Sequence, residues 1–180
     1  MSTKTEKITA PPTDVAGYNP LRDAGDCTFD CAAANHVVGF FPSCLCHTKG
    51  FSGKFHLEPW QRDYVATLYG WKRPDGTRRY RESILAVPRK NGKTTLVAGL
   101  SLFNLRCDHE RGPEVYCAAF SRDQATLVFD PAAAMVAASE IMSDQLSVHE
   151  STKRIVYHGS NGFMRAIPAE AASSHGFNAS

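Results

Sequence analysis

The sequence predicts an α/β fold with a parallel core sheet flanked by helices. Three observations lead there. From Ser83 onward the chain reads strand, turn, apolar helix, strand, helix, which is a β-α-β unit whose strands lie parallel in one sheet. The 180 residues are long enough for one ordinary α/β core. With 43% hydrophobic and 21% charged residues, the composition is that of a globular chain and excludes a disordered one.

Residues 1–25 are polar and broken by proline and glycine, and read as a flexible lead-in with no secretory signal. Residues 26–58 form a second segment, helical then irregular. Phe29, Ala32, Ala33, His36, Val37 and Phe40 recur at helical spacing, and Pro42 is expected to close that helix. A third segment, 59–180, opens with a helix from about Pro59 to Tyr69, where proline suits the first helical position. Pro74-Asp75-Gly76 is a turn signal, and the hairpin it starts should end in a strand over Ser83–Val87. Lys93–Arg106 is apolar almost all round and predicts a helix buried on most sides. Glu114–Phe120 reads as a buried strand. Ser121 with Gln124 fits a capping box, so a helix starts there and should kink or restart at Asp130-Pro131. Asn161-Gly162, between two apolar-rich runs, predicts a type I′ hairpin.

No apolar run approaches the ~20 residues of a membrane span. Net charge is only +2, but Lys72–Lys93 holds eight Lys/Arg against Asp75 and Glu82, so the rest of the chain is net acidic. A local basic patch suits an anionic ligand better than a general DNA coat, and any DNA grip by Arg78, Arg79 or Arg81 would be to backbone phosphate. The bland alternative is a solvated arginine-rich hairpin. Cys27, Cys31, Cys44 and Cys46, with His36 and His47, have C-x₃-C and C-x-C spacings rather than the C-x₂-C pairs of structural zinc, so reduced packing thiols are the expectation.

The chemistry concentrates in "VPRKNGKTTLVAGL", starting at Val87. Phosphate binding needs backbone N–H groups around a concavity, a helix N-terminus behind them and a lysine in reach. Gly92 admits close approach, Lys93 reaches the β- and γ-phosphates, Thr94 places its hydroxyl on Mg²⁺, and Asn91 tolerates a left-handed turn. Arg89 sits inside the loop, where a guanidinium can stabilise charge in phosphoryl transfer; the alternative is a salt bridge at the loop's shoulder. Val87 stands where such loops usually carry their first glycine.

That loop, with "EVYCAAFSRDQATLVFDPAAAMV" after it and "LEPWQRDYVATLYGWKRPDGTRRYRESI" before it, resembles the N-terminal ATPase domain of the large terminase subunit of tailed bacteriophages, over roughly Phe51–Ser180. In that family the loop often lacks the first glycine, which accounts for Val87. The resemblance implies a P-loop NTPase of the additional-strand, catalytic-glutamate type, using ATP and Mg²⁺. It would work in the host cytoplasm as a ring, generally of five subunits, driving double-stranded viral DNA into a procapsid through contacts with a portal protein and a small terminase subunit, away from any membrane. An endonuclease would sit in a separate C-terminal domain. Carried over by position, Arg89, Lys90, Asn91, Gly92, Lys93, Thr94 and Thr95 match the phosphate loop, with Arg89 and Lys93 catalytic, and Trp60 and Gln61 match the segment that holds adenine. Gln can bond both adenine N6 and N7; core packing for Trp60 and a surface amide for Gln61 are the plain alternatives.

Hydrolysis further needs an apolar strand ending in Asp-Glu. Leu127–Asp130 is followed by Pro131 and lies in a helical pattern, so it does not qualify. The expectation is a fold incomplete at its C-terminus: part of a terminase with weak nucleotide binding and turnover near zero by itself. A non-catalytic assembly or nucleotide-binding module and a small P-loop kinase are the competing readings.

Overall fold

A computed structural model describes residues 7–48, 50, 53–107 and 111–168. The chain divides into two compact units, residues 1–43 with 54–86, and residues 44–53 with 87–180.

In the first unit, β1 (Thr28–Phe29) leads into helix α1 (Cys31–Cys44). Asp30 starts the helix: one carboxylate oxygen accepts from the amides of Ala32 at 2.8 Å and Ala33 at 3.0 Å. Ala34, Val37, Val38 and Phe41 form its buried stripe. The helix runs through Pro42 to Cys44 instead of ending there. A proline this near the end removes only the donor to Val38, and the apolar stripe holds the last turn in place.

Helix α2 (Pro59–Gly70) follows, then β2 (Trp71–Lys72), antiparallel to β1. Gly70 is required by contact: a Cβ there would lie 2.5 Å from the Phe29 ring. The Pro74-Asp75-Gly76 turn forms as expected, closed by Asp75, which accepts from the Thr77 amide at 2.9 Å and the Thr77 hydroxyl at 2.7 Å. Residues 7–25 are irregular, as their composition implies, but pinned. Ile8 is buried, and its backbone exchanges two hydrogen bonds with the Asn35 side chain.

The second unit is built on a four-stranded sheet in the order β3 (Glu114–Ala119), β6 (Gly162–Pro168), β5 (Arg154–Tyr157), β4 (Leu146–His149). Only β3 and β6 are parallel; β5 runs antiparallel to both β6 and β4. The sheet is therefore mixed, which corrects the expected parallel one. The reason is local: β4, β5 and β6 are joined by short hairpin connections, too short for the crossover a parallel pair needs. Helices α3 (Lys93–Cys107) and α4 (Arg122–Ala137) pack on each other and on one face of this sheet, and α5 (Glu140–Ser143) leads into β4. Leu96, Leu102, Leu105, Phe129, Met135, Ile155 and Met164 are the fully buried core.

Three further expectations change here. The expected strand over Ser83–Val87 does not form: these residues belong to no strand or helix, and Ile84 is 96% exposed. No strand among the described residues pairs with it. The α4 helix does not restart at Pro131 but continues through it; the carbonyl that loses its donor is that of Leu127, itself an exposed residue. Asn161-Gly162 is not a two-residue turn. The β5–β6 connection is the four residues His158–Asn161, with Tyr157 paired to Gly162, and only Asn161 is left-handed, at φ 58°. Gly162 is a strand residue pressed against Pro113.

Candidate functional site: the Val87–Thr95 loop

The loop is shaped by two left-handed residues, Lys90 at φ 70° and Gly92 at φ 70°, on either side of Asn91. The left-handed turn expected at Asn91 thus falls on its neighbours. Glycine takes that conformation freely, whereas for Lys90 it costs about 1–2 kcal/mol. Asn91 has a different part: its side-chain amide donates to the carbonyls of Pro88 at 3.3 Å and Arg89 at 3.5 Å, bracing the turn from inside.

Gly92 is where loop becomes helix. Its carbonyl accepts from the Leu96 amide at 2.9 Å, the first bond of α3. The amides of Lys93, Thr94 and Thr95 therefore have no acceptor within the helix and stand at its positive end. The Lys93 ammonium donates to the Val87 carbonyl at 3.4 Å, closing the loop across six residues. Pro88 through Thr94 are exposed and Thr95 half-buried, and the Arg89 guanidinium has no ion pair among the described residues. The salt bridge at the loop's shoulder is thus not formed. What anchors the site is α3, buried at Leu96, Ala98 and Gly99 one turn further on.

Trp60 and Gln61 lie on the first turn of α2. Trp60 is 36% exposed, and Gln61 is 3% exposed, with its side-chain oxygen accepting from the Glu58 amide at 3.0 Å. That bond is the capping function of a residue three positions into a helix. It leaves the amide NH₂ of Gln61 as the group able to meet a ligand.

The basic stretch before the loop is largely taken up by the fold. The Arg79 side chain is 10% exposed; it pairs with Asp23 at 2.7 Å, donates to the Pro20 carbonyl at 2.8 Å and lies over the rings of Trp71 and Tyr80. Arg78 lies over Tyr69. Arg79 is thus engaged within the fold rather than offered to a ligand, because burying a guanidinium demands partners. Among the described residues no three His, Cys, Asp or Glu side chains converge on a point, and the described cysteines are free thiols. Burial pushes the Cys117 thiol upward and, opposed by the nearby Arg106 charge, that of Cys44 too. The Leu127–Asp130 run is helical, and Asp130 takes the Lys153 ammonium at 3.3 Å.

A family model described as the ATPase domain of the terminase large subunit matches residues 59–180. The chain belongs to the terminase large subunits. The terminase large subunit of Enterobacteria phage HK97 is 32% identical over 123 residues, covering 68% of this chain and 23% of that protein. The crystal structure of the HK97 bacteriophage large terminase superposes with a TM-score of 0.69 at 28% identity, over 81% of this chain and 29% of that one. This terminase chain therefore spans about a quarter of the length of the relatives it matches. Membership in an ATPase domain family implies nucleotide use. Among the described residues no helix of the terminase chain is long and apolar enough to cross a membrane.

Proposed function

We propose that Val87–Thr95 binds the triphosphate of ATP and that the terminase to which this chain belongs hydrolyses it to drive double-stranded viral DNA into a procapsid. The observation that carries the nucleotide half is the junction at Gly92: a left-handed glycine, three acceptor-free amides after it, and the Lys93 ammonium held against the loop's own carbonyl. A triphosphate offers that ammonium a far better acceptor than a neutral carbonyl at 3.4 Å, so binding transfers Lys93 from Val87 to phosphate.

In this reading the Lys93, Thr94 and Thr95 amides hold phosphate oxygens, Lys93 neutralises charge at the β- and γ-phosphates, and Arg89, with no ion pair among the described residues, stabilises charge on the γ-phosphoryl group as it passes to water and ADP leaves. Lys90, exposed and held left-handed in the same loop, adds a second positive charge near the anion. By resemblance to the family, Trp60 and Gln61 are the candidates for holding adenine. Mg²⁺ fits these residues because it needs little from the protein: Thr94 supplies one hydroxyl oxygen, and phosphates and waters complete such a shell. When bound, the ion screens the charge on the phosphate oxygens. The portal protein, the small subunit, the five-membered ring in the host cytoplasm and the endonuclease belong to the same proposal for the whole protein.

No Asp-Glu pair closes an apolar strand among the described residues, so we expect these 180 residues by themselves to bind ATP with turnover near zero. The Ser83–Val87 segment is part of the same reading. It is the strand that should back the loop, and a further strand alongside would fix it. Calorimetric titration with Mg·ATP tests the site. Binding is expected in the intact chain and loss beyond detection in Lys93→Ala. Equal affinity in the two proteins would sink the assignment.

A further inference from the structure

Arg79 is taken up by the fold, but the sheet carries two further arginines, Arg154 and Arg165. Side chains alternate along each strand. Ile155, Met164 and Ala166 are buried, and Cys117 meets Ser101 of α3 with 3.8 Å between hydroxyl oxygen and sulfur, so this set faces the helices. The alternate set, Arg154, Phe163, Arg165 and Tyr116, faces away from them.

Arg154 and Arg165 are direct cross-strand partners. Two like charges opposed in an antiparallel pair are destabilising, and a fold has no reason of its own to place them there. Neither has an ion pair among the described residues, and the Arg154 Nε is buried without an acceptor. The neighbouring carboxylate, Glu114, accepts from the Tyr116 hydroxyl at 2.7 Å. The Arg154 guanidinium lies 3.9 Å from the Phe163 ring centroid, and Tyr116 stands edge-on to the same ring at 5.7 Å. A guanidinium stacked this way is held in a fixed plane, and with Nε buried it is the two terminal nitrogens that can meet a phosphate bidentately.

We propose that the Arg154–Arg165 pair, with Phe163 beside it, is a phosphate-binding surface for nucleic acid, distinct from the nucleotide loop. Two fixed cations with no ion pair among the described residues favour a polyanion, and a guanidinium plane backed by the Phe163 ring is a stacking surface for a base that an acidic peptide does not need. This deepens the packaging reading by naming where the DNA backbone is touched, and rests on it for the choice of DNA.

The test is fluorescence anisotropy of labelled random-sequence duplex, and of one of its strands, titrated with the chain across a salt series. R165Q should weaken binding about fivefold and flatten the log–log salt slope by about 1, the signature of one lost phosphate contact. R154K, which keeps charge and loses the flat stack, should weaken binding less than R154Q. Arg165 is exposed, so R165Q carries the test even if R154Q does not fold, as checked by circular dichroism. Lys93→Ala should leave DNA binding intact while losing ATP, which separates failure at this face from failure of the nucleotide site. Unchanged affinity and slope in R165Q would overturn the proposal. So would a polyglutamate peptide that competes as well as DNA of equal charge, since the face would then be a docking site for acidic protein.

Discussion

Gly162→Ala is the substitution whose cost the structure states most directly. An added Cβ would sit 2.5 Å from Pro113 Cδ, 2.6 Å from Pro113 Cγ and 2.8 Å from the Pro113 carbonyl oxygen. None of these atoms can move away cheaply. The proline ring is rigid and buried, and the carbonyl is fixed by the Phe163 amide at 2.8 Å, the bond that seats β6 beside the start of β3. Overpacking of this kind costs about 1–3 kcal/mol, and a clash with fixed backbone belongs at the upper end. The entropy gained by replacing a strand glycine offsets about 0.5–1 kcal/mol, leaving a net loss of about 2 kcal/mol. For a chain of this size that lowers Tm by about 4–8 °C. Thermal unfolding followed by circular dichroism measures it. Pro113→Ala in the same chain removes the ring contacts and keeps the carbonyl, so the penalty of Gly162→Ala on that background should shrink without vanishing. If Gly162→Ala melts within about a degree of the parent, Gly162 is not a contact glycine and the strand assignment at its start is wrong.

Gly39 is the counterpart, a helix-interior glycine in α1 with nothing within 4 Å of a built Cβ; Gly39→Ala should raise stability by about 0.5–1 kcal/mol in the same melts. Asp30→Ala removes the acceptor of two amides at the start of α1 and should cost about 1–2 kcal/mol by denaturant titration, with Asp30→Asn close to the parent. Burial, helped by the hydrogen bond to Glu114, pushes the Tyr116 phenol from 10.0 up to about 12. A raised acid favours its neutral form in the fold, so this stabilisation is complete below about pH 10 and is lost as pH rises toward about 12. Phenolate absorbance should show the Tyr116 transition delayed in the native chain, and Glu114→Gln should bring it down.

Local chemistry was readable from sequence and register was not. The Ser121 cap, with its hydroxyl accepting from Gln124, the Pro-Asp-Gly turn and the all-round apolar α3 follow from side chains acting within a few residues. Ser83–Val87 has the composition of a strand, but a strand needs a neighbour, and no property of those five residues supplies one. Asn161-Gly162 looked like a tight turn because the pair commonly is; that Gly162 is needed to clear Pro113, 49 residues earlier, is a tertiary fact. The short β4 carries only Leu146 and Val148 of alternating pattern, too little to stand out. Within the loop, the residues were found by type, while the placing of left-handed backbone on Lys90 and the bracing by Asn91 emerge only from geometry. Arg154 and Arg165 are eleven positions apart, and only strand pairing makes them neighbours.

The bare Ser83–Val87 ribbon also dictates how the purified chain behaves in the tube. These five residues, four of them apolar, pair with no strand among the described residues and carry one isoleucine almost wholly wet, the composition of a seam onto which a second molecule is expected to zip. Concentrating the protein drives that seam toward cross-molecule pairing, so Ile84→Lys is the change that keeps stocks clear without touching the loop that follows.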